Sequence, residues 1–404
     1  MPFEGSAPRI CILTDSFYPI IGGGETHVRL LAEKLIERGI PVFVLTRRSI
    51  ATLKNKDWVG NIHVYRVNPA GLRRFANLMM IIPAFLRLAA LRKHYDIIYV
   101  SGLRFLGVVG VIASILFRKK CILREASCTE LSGGYIWDSP DLPKSKYLRG
   151  AISLAINSRN SILKRADSFI SISEAIKNEY ITCGVHVAKI RHISNGIDTQ
   201  KFAPVDEQTK AELRKNLGIK DKIIFTYSGK LNRGKGLEFL LKVWKQVAAK
   251  RKDVHLMLVG GGANQLISLE NELRSYVEQE NLRDFVTFTG YTEKVNLYLQ
   301  SSDYFIFPSE SEGLGNALLE ALSCGLPAIA TRAGGIVDII TDHKNGRLIE
   351  VGNELELYGS IIDFLEDPIT AGQLGKNGRA IIHDCYSSDR MVDQHILLFQ
   401  SLFA

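Results

Sequence analysis

Two glutamates stand eight positions apart in Pro308-Ser-Glu-Ser-Glu312-Gly313-Leu314-Gly315-Asn316-Ala-Leu-Leu-Glu320-Ala-Leu-Ser-Cys-Gly325-Leu-Pro327. An apolar strand ends at Phe307, and the glycine-flanked loop after it opens a helix near 314–316. Glu320 then falls in the second helical turn, with Leu318, Leu319 and Leu322 able to pack inward. A carboxylate placed there can accept two hydrogen bonds from a vicinal diol such as a ribose. Backbone N–H groups at Gly315 and Asn316 suit a phosphate, because helix N-termini carry unpaired donors and partial positive charge. The plainer readings are a helix-surface glutamate at 320 and an exposed loop acid at 312. The surrounding glycines and Pro327 count against both.

A second run, Ser228-Gly229-Lys230-Leu-Asn-Arg233-Gly234-Lys235-Gly236, follows a strand and precedes a helix over 237–250. Three cations within six residues repel one another and make sense around a polyanion; otherwise this is a solvated basic turn. No G-x-x-x-x-G-K-[ST] is present, so it is not a Walker loop. A third run, Tyr18-Pro-Ile-Ile-Gly22-Gly23-Gly24-Glu25, also joins a strand to a helix. Its glycines allow close backbone approach to a ligand, though the same sequence makes an ordinary tight turn. His27 stands where a dinucleotide fingerprint has its third glycine, and no acid follows about 20 residues on. A nicotinamide cofactor is thus disfavoured, and no cofactor is expected.

These runs need strands and helices in alternation, and the chain supplies them. Apolar strands are expected at 10–14, 42–46, 97–101, 121–124, 169–173 and 190–194, then at 223–228, 255–259, 286–289, 304–307 and 328–330. A helix over 26–38 carries Val28, Leu31, Leu35 and Ile36 on one stripe and stops at Gly39. The polar stretch 195–207 reads as a linker. The fold class is therefore α/β, with two doubly wound Rossmann-like domains and ligands outside the carboxyl ends of the strands. Domains so built, facing one another, would form a cleft. The loop 138–146 (DSPDLPKSK) is expected at its rim.

Composition narrows the class. The 404 residues are 46% apolar and 23% charged, which suits a folded globular protein and excludes general disorder. Glu4, Arg9 and Asp15 interrupt any apolar signal region, and the apolar run 105–117 is shorter than the ~20 residues of a spanning helix. It reads as a buried core helix in a cytoplasmic protein. Six cysteines without a CxxC pair, and no histidine at metal spacing, indicate a reducing compartment and no structural zinc.

Residues 1–200 hold 28 Lys+Arg against 15 Asp+Glu, so the positive charge sits in the first half. That half is expected to meet a nucleic acid, a phospholipid surface or a phosphorylated substrate, or else to be a solvated face. No nucleic-acid-binding signature is present, which ranks the first of these last. The stretch 75–91 interleaves apolar residues with Arg87 and is flanked by Arg73, Arg74 and Arg92. It reads equally as a segment resting on an anionic membrane surface and as a core-packed helix with a basic outer side.

Taken together, the runs resemble the retaining GT-B glycosyltransferases of group 1 (GT4), over nearly the whole chain. The likeness rests on 15–35, Asn195-Gly-Ile-Asp198 before Phe202, 229–236, Leu258-Val-Gly-Gly-Gly262, Phe288-Thr-Gly290, and the paired glutamates within 312–327. It implies an N-terminal acceptor-side domain at 1–200, joined by the C-terminal helix in 387–404, and a nucleotide-sugar-binding domain at 201–386. It implies transfer of a sugar, with retained configuration and without a metal, from a nucleotide-diphosphate sugar to a glycan or lipid-linked acceptor. The product would be a cell-surface polysaccharide or glycolipid, made by an enzyme peripheral to the inner membrane face.

By the same resemblance Lys230, Lys235 and Glu312 are catalytic. Donor contacts fall to Gly23, Gly24, Gly229, Gly262, Gly313, Leu314, Gly315, Asn316 and Glu320 as well. Glu320 would hold the ribose, Glu312 the sugar, and the two lysines the pyrophosphate. Lys230 stands where arginine is commoner in the family. A histidine common after the strand 121–124 is absent, leaving Arg124, Glu125 and Ser127 as candidates for its role. A nucleotide-sugar epimerase of the same fold and a non-catalytic glycan-binding protein are the alternatives.

Overall fold

The computed structural model describes residues 7–71, 76–125, 127–137, 145–218, 222–262 and 268–403. Arg73, Arg74 and nearly all of the loop expected at 138–146 lie outside them. The chain forms two compact units, Met1–Gly196 with Ser388–Ala404, and Ile197–Ser387.

The first unit runs β1 (Ile10–Thr14), α1 (Gly23–Glu37), β2 (Val42–Arg47), β3 (Lys56–Val59), β4 (Ile62–Val67), α2 (Ala76–Met79), α3 (Ile81–Ala90), β5 (Ile97–Ser101), α4 (Leu106–Phe117), β6 (Lys120–Arg124), α5 (Gly134–Trp137), α6 (Lys146–Leu163), β7 (Ser168–Ser171), α7 (Glu174–Thr182) and β8 (Ile190–His192). Its sheet order is β3-β4-β2-β1-β5-β6-β7-β8. The pairing is parallel except that β3 runs antiparallel to β4. Parallel strands are covered by helices on both faces, which is why β1 and β5 are buried along their whole length. On one side α4 lies on β5 and β6, with α3 and α6 packed against it.

The second unit continues with α8 (Glu207–Asn216), β9 (Ile223–Ser228), α9 (Leu237–Lys250), β10 (Val254–Val259), α10 (Glu270–Gln279), β11 (Val286–Gly290), α11 (Val295–Gln300), β12 (Tyr304–Phe307), α12 (Asn316–Ser323), β13 (Ala328–Thr331), α13 (Ile336–Ile339), β14 (Arg347–Ile349), α14 (Glu354–Glu366) and α15 (Pro368–Cys385). Its sheet is parallel in the order β11-β10-β9-β12-β13-β14. The last helix, α16 (Ser388–Ser401), belongs to the first unit. It packs on α1, where Arg38 pairs with Asp389 and Asp393, and His395 meets Tyr99 Oη at 3.2 Å.

Four sequence expectations change. The antiparallel pair β3–β4 was not foreseen, because β3 is a four-residue, partly exposed edge strand. Nor was β14, only three residues long. The helix expected from 26 begins at Gly23, because Gly22 takes an extended N-cap conformation and Thr26 N donates to Gly22 O at 2.9 Å. The helix read from 105–117 is not buried all round: Ile112, Ile115 and Leu116 are exposed, since only its inner face meets the sheet.

Candidate active site

In each unit the strand order reverses at one place, between β1 and β5 in the first and between β9 and β12 in the second. The loops leaving the carboxyl ends of such strands separate and open a crevice where ligands gather. In the second unit those two loops are 229–236 and 308–315, the two runs singled out by their chemistry.

The loops are fixed to each other by backbone. Glu310 N donates to Gly234 O at 3.0 Å, and Gly335 N donates to Glu312 O at 3.1 Å. Gly236 has φ +66°, and a Cβ there would overlap the carbonyl of Pro308. A Cβ at Gly334 would overlap the carbonyl of Glu312. The loops after β9, β12 and β13 thus form one packed body, and glycine is needed where they touch.

Within that body Lys235 Nζ donates to Glu312 Oε1 at 2.6 Å, and Ser309 Oγ donates to the same oxygen at 2.7 Å. The Glu312 side chain is only 15% exposed, so the pair is shielded from water enough to be strong. Arg233 has its own carboxylate, Glu272, at 3.5 Å. Two of the loop's three cations thus have a carboxylate partner within the protein. Lys230 is exposed on the same loop, and among the described residues no carboxylate reaches its ammonium within 4 Å.

Gly315 caps α12 at φ +105° and is buried, while no side chain caps this helix. Leu314 is buried beside it and Gly313 is half-buried. The open helix end presents backbone dipoles to the loop that carries Glu312. Gly229 N donates to Val259 O, and Gly262 N is already taken by Glu270 Oε2 at 2.8 Å. The lack of a Cβ lets Gly262 pass close to Leu231 O.

Glu320 lies on α12 as expected, partly buried. Burial lifts its carboxyl from the ordinary 4.5 to about 7, against an opposing pull from Lys201. Among the described residues its carboxylate receives no hydrogen bond. Glu320 follows β12, one of the two strands at the switch point.

In the first unit Gly23 and Gly24 form the opening turn of α1, and Gly23 is exposed. Ser16 Oγ donates to Glu25 Oε1 beside them. Of the three candidates for the missing histidine, Arg124 is wholly buried and donates to Ser101 Oγ and Asn195 Oδ1. Glu125 is buried too, accepting from Glu130 N and Leu131 N, and burial holds its carboxyl well above the usual range. Ser127 Oγ donates to Glu130. Arg124 and Glu125 tie segments of the first unit together.

Ser309 was missed as a site residue. It is fully buried and fixes the Glu312 carboxylate, but a serine before an acidic loop carries no signal of that in sequence.

Two doubly wound α/β units, each with a strand-order reversal, define the GT-B class. Residues 209–381 match the glycosyl transferases group 1 family and residues 21–201 match glycosyltransferase family 4. The chain belongs to this family of glycosyltransferases. It is 31% identical over 221 residues to a GDP-mannose-dependent monoacylated alpha-(1-6)-phosphatidylinositol monomannoside mannosyltransferase of Corynebacterium glutamicum, over 52% of this chain and 56% of that one. It is 27% identical to an alpha-monoglucosyldiacylglycerol synthase of Streptococcus pneumoniae, over 88% of this chain and 78% of that one. HepE of Anabaena, crystallised with UDP and glucose, shares the fold at a TM-score of 0.77 and 21% identity, over 98% of this chain and all of that one. The protein is a glycosyltransferase of this family.

Proposed function

We propose that the second unit binds a nucleotide-diphosphate sugar and that the enzyme transfers the sugar, with retained anomeric configuration, to a hydroxyl of a glycan or lipid-linked acceptor. The observation that carries this is the Glu320 carboxyl, desolvated and without a hydrogen-bond donor, on the same loop–helix segment as the Lys235–Glu312 pair. A ribose diol supplies the two donors that Glu320 lacks. Lys235, Lys230 and the uncapped start of α12 supply positive charge for the two phosphates. Glu312 keeps Lys235 in place through the 2.6 Å contact and turns its carboxylate toward sugar hydroxyls.

In the proposed step the C1–O bond to the diphosphate breaks as the acceptor oxygen bonds to C1 on the same face. The acceptor proton passes to the departing phosphate oxygen. Lys235 and Lys230 stabilise the negative charge as it develops, so no metal is needed in this reading. The lipid substrates in two relatives' names support a lipid-linked acceptor, and with it a cytoplasmic enzyme working at the inner membrane face. Gly23 and Gly24, at the crevice of the first unit, lie against the donor's phosphate and the acceptor in this reading.

The test is a transfer assay with a panel of nucleotide sugars against lipid-linked and free glycan acceptors, the anomer read by NMR. A product with the donor's configuration supports the proposal. Epimerised donor without transfer, or binding without turnover, supports the alternatives instead.

A further inference from the structure

Among the described residues the Lys230 ammonium has no carboxylate to hold it, and it ends a flexible four-carbon stem. Where that charge can reach is set by the backbone that carries it. Gly229 and Lys230 are both exposed, between buried Ser228 and buried Leu231, so the chain leaves the surface of the unit for two residues and returns. Gly229 N donates to Val259 O at 2.9 Å where the excursion begins, and Leu231 N donates to Gly261 O at 3.3 Å where it ends. At its far point the Lys230 carbonyl accepts from Tyr227 Oη at 3.0 Å.

Tyr227 is the penultimate residue of β9 and is only 1% exposed. Its ring lies nearly parallel to that of Phe307 at the end of β12, with centroids 6.4 Å apart. Burial pushes its phenol up, and the charge of Glu312 adds to that, so the group keeps its proton and donates. Gly229 passes directly over the hydroxyl at φ +148°, and a Cβ there would come within 2.7 Å of Tyr227 Oη. A Cβ at Gly260 would in turn overlap the carbonyl of Gly229. The two glycines thus leave the space in which a buried hydroxyl meets an exposed loop.

We infer that Tyr227 is a positioning residue for the donor diphosphate: its hydroxyl fixes the Lys230 carbonyl, and through it the place where the Lys230 ammonium meets the phosphates. Tyr227 itself touches no substrate. The inference rests on the role proposed for Lys230. A tyrosine that only filled the core would be replaced by phenylalanine without effect on ligands, since the ring carries the packing and the hydroxyl carries the contact.

The experiment titrates UDP, GDP and ADP into wild type, Tyr227→Phe, Lys230→Ala, Lys230→Arg and the two double variants. Melting without nucleotide checks that each is folded. Tyr227→Phe is expected to weaken the diphosphate that wild type binds best by about three- to tenfold, and to have no further effect once Lys230 is replaced by alanine. Beside Lys230→Arg the tyrosine should matter less, with a loss of about twofold or under. A planar, forked guanidinium is pre-organised for phosphate and relies less on a fixed backbone. Wild-type affinity in Tyr227→Phe while Lys230→Ala is impaired, or a loss of equal size in the lysine and alanine backgrounds, would overturn the inference and leave the proposed function standing. Wild-type affinity in Lys230→Ala, or no binding of any diphosphate to wild type, would overturn the role proposed for Lys230 and the inference with it.

Discussion

Replacing Glu320 by Gln should make the protein more stable while making it bind donor worse. The carboxyl is held at about 7 in the folded chain against 4.5 when free, so the native state retains a proton that the unfolded state gives up. Stability contributed by this group is thus present below about pH 4.5, falls as pH rises through 7, and stays lost above. At about 1.4 kcal/mol per pH unit the ceiling on that penalty is about 3 kcal/mol, and solvent at the partly exposed side chain brings it to about 1–2. A glutamine of the same shape carries no such penalty. For a unit of this size, Tm of Glu320→Gln at pH 8 should exceed wild type by roughly 2–8 °C, with no difference near pH 4.5. Donor affinity should move the other way. If, as proposed, the ionised carboxylate accepts the ribose hydroxyls, wild-type affinity should rise by up to about tenfold from pH 6 to pH 8, and the slope should vanish in Glu320→Gln. Calorimetric melting and nucleotide titration across pH measure both. A Tm difference independent of pH, or donor affinity that rises as pH falls, refutes the role given to Glu320.

Lys235→Ala should lower kcat by about 10²–10³ with little change in the fold, because it removes charge needed as the diphosphate departs; single-turnover rates measure this. Ser309→Ala removes one hydrogen-bond donor from the Glu312 carboxylate, and should cost about 1 kcal/mol in urea melting together with a fall in kcat. Gly236→Ala forces a Cβ into the Pro308 carbonyl at a left-handed backbone, and should cost more than about 2 kcal/mol and loosen the donor loops, seen as faster amide exchange over 229–236. Arg124→Leu leaves Asn195 and Ser101 without their buried donor, and should destabilise the first unit while nucleotide binding by the second persists, which domain-resolved hydrogen exchange would show.

The central strands were legible because parallel strands buried on both faces are continuous apolar runs. β1, β5, β9 and β12 have the bounds their residues suggested. Edge strands β3 and β14 were not, since segments of three or four residues are too short for such a run, and β3 is largely exposed as well. Lys235, Glu312 and Glu320 could be placed by strand, glycine loop and helix in order. Their partners could not: the pairing of Lys235 with Glu312, across 77 residues, depends on which strands neighbour each other at the switch point. For the same reason the pairing of Arg233 with Glu272 carried no signal in sequence. The outer face of α4 was misread because an all-apolar helix has no polar side by which sequence reveals its exposure.

Nucleoside diphosphate binding, followed as thermal stabilisation by UDP, GDP and ADP in wild type, Lys235→Ala and Glu320→Ala, addresses the donor crevice most directly. At least one diphosphate should raise the wild-type melting temperature, with the rise reduced in Lys235→Ala and nearly absent in Glu320→Ala. Stabilisation of equal size in all three proteins would show that the nucleotide binds somewhere other than the β9–β12 switch.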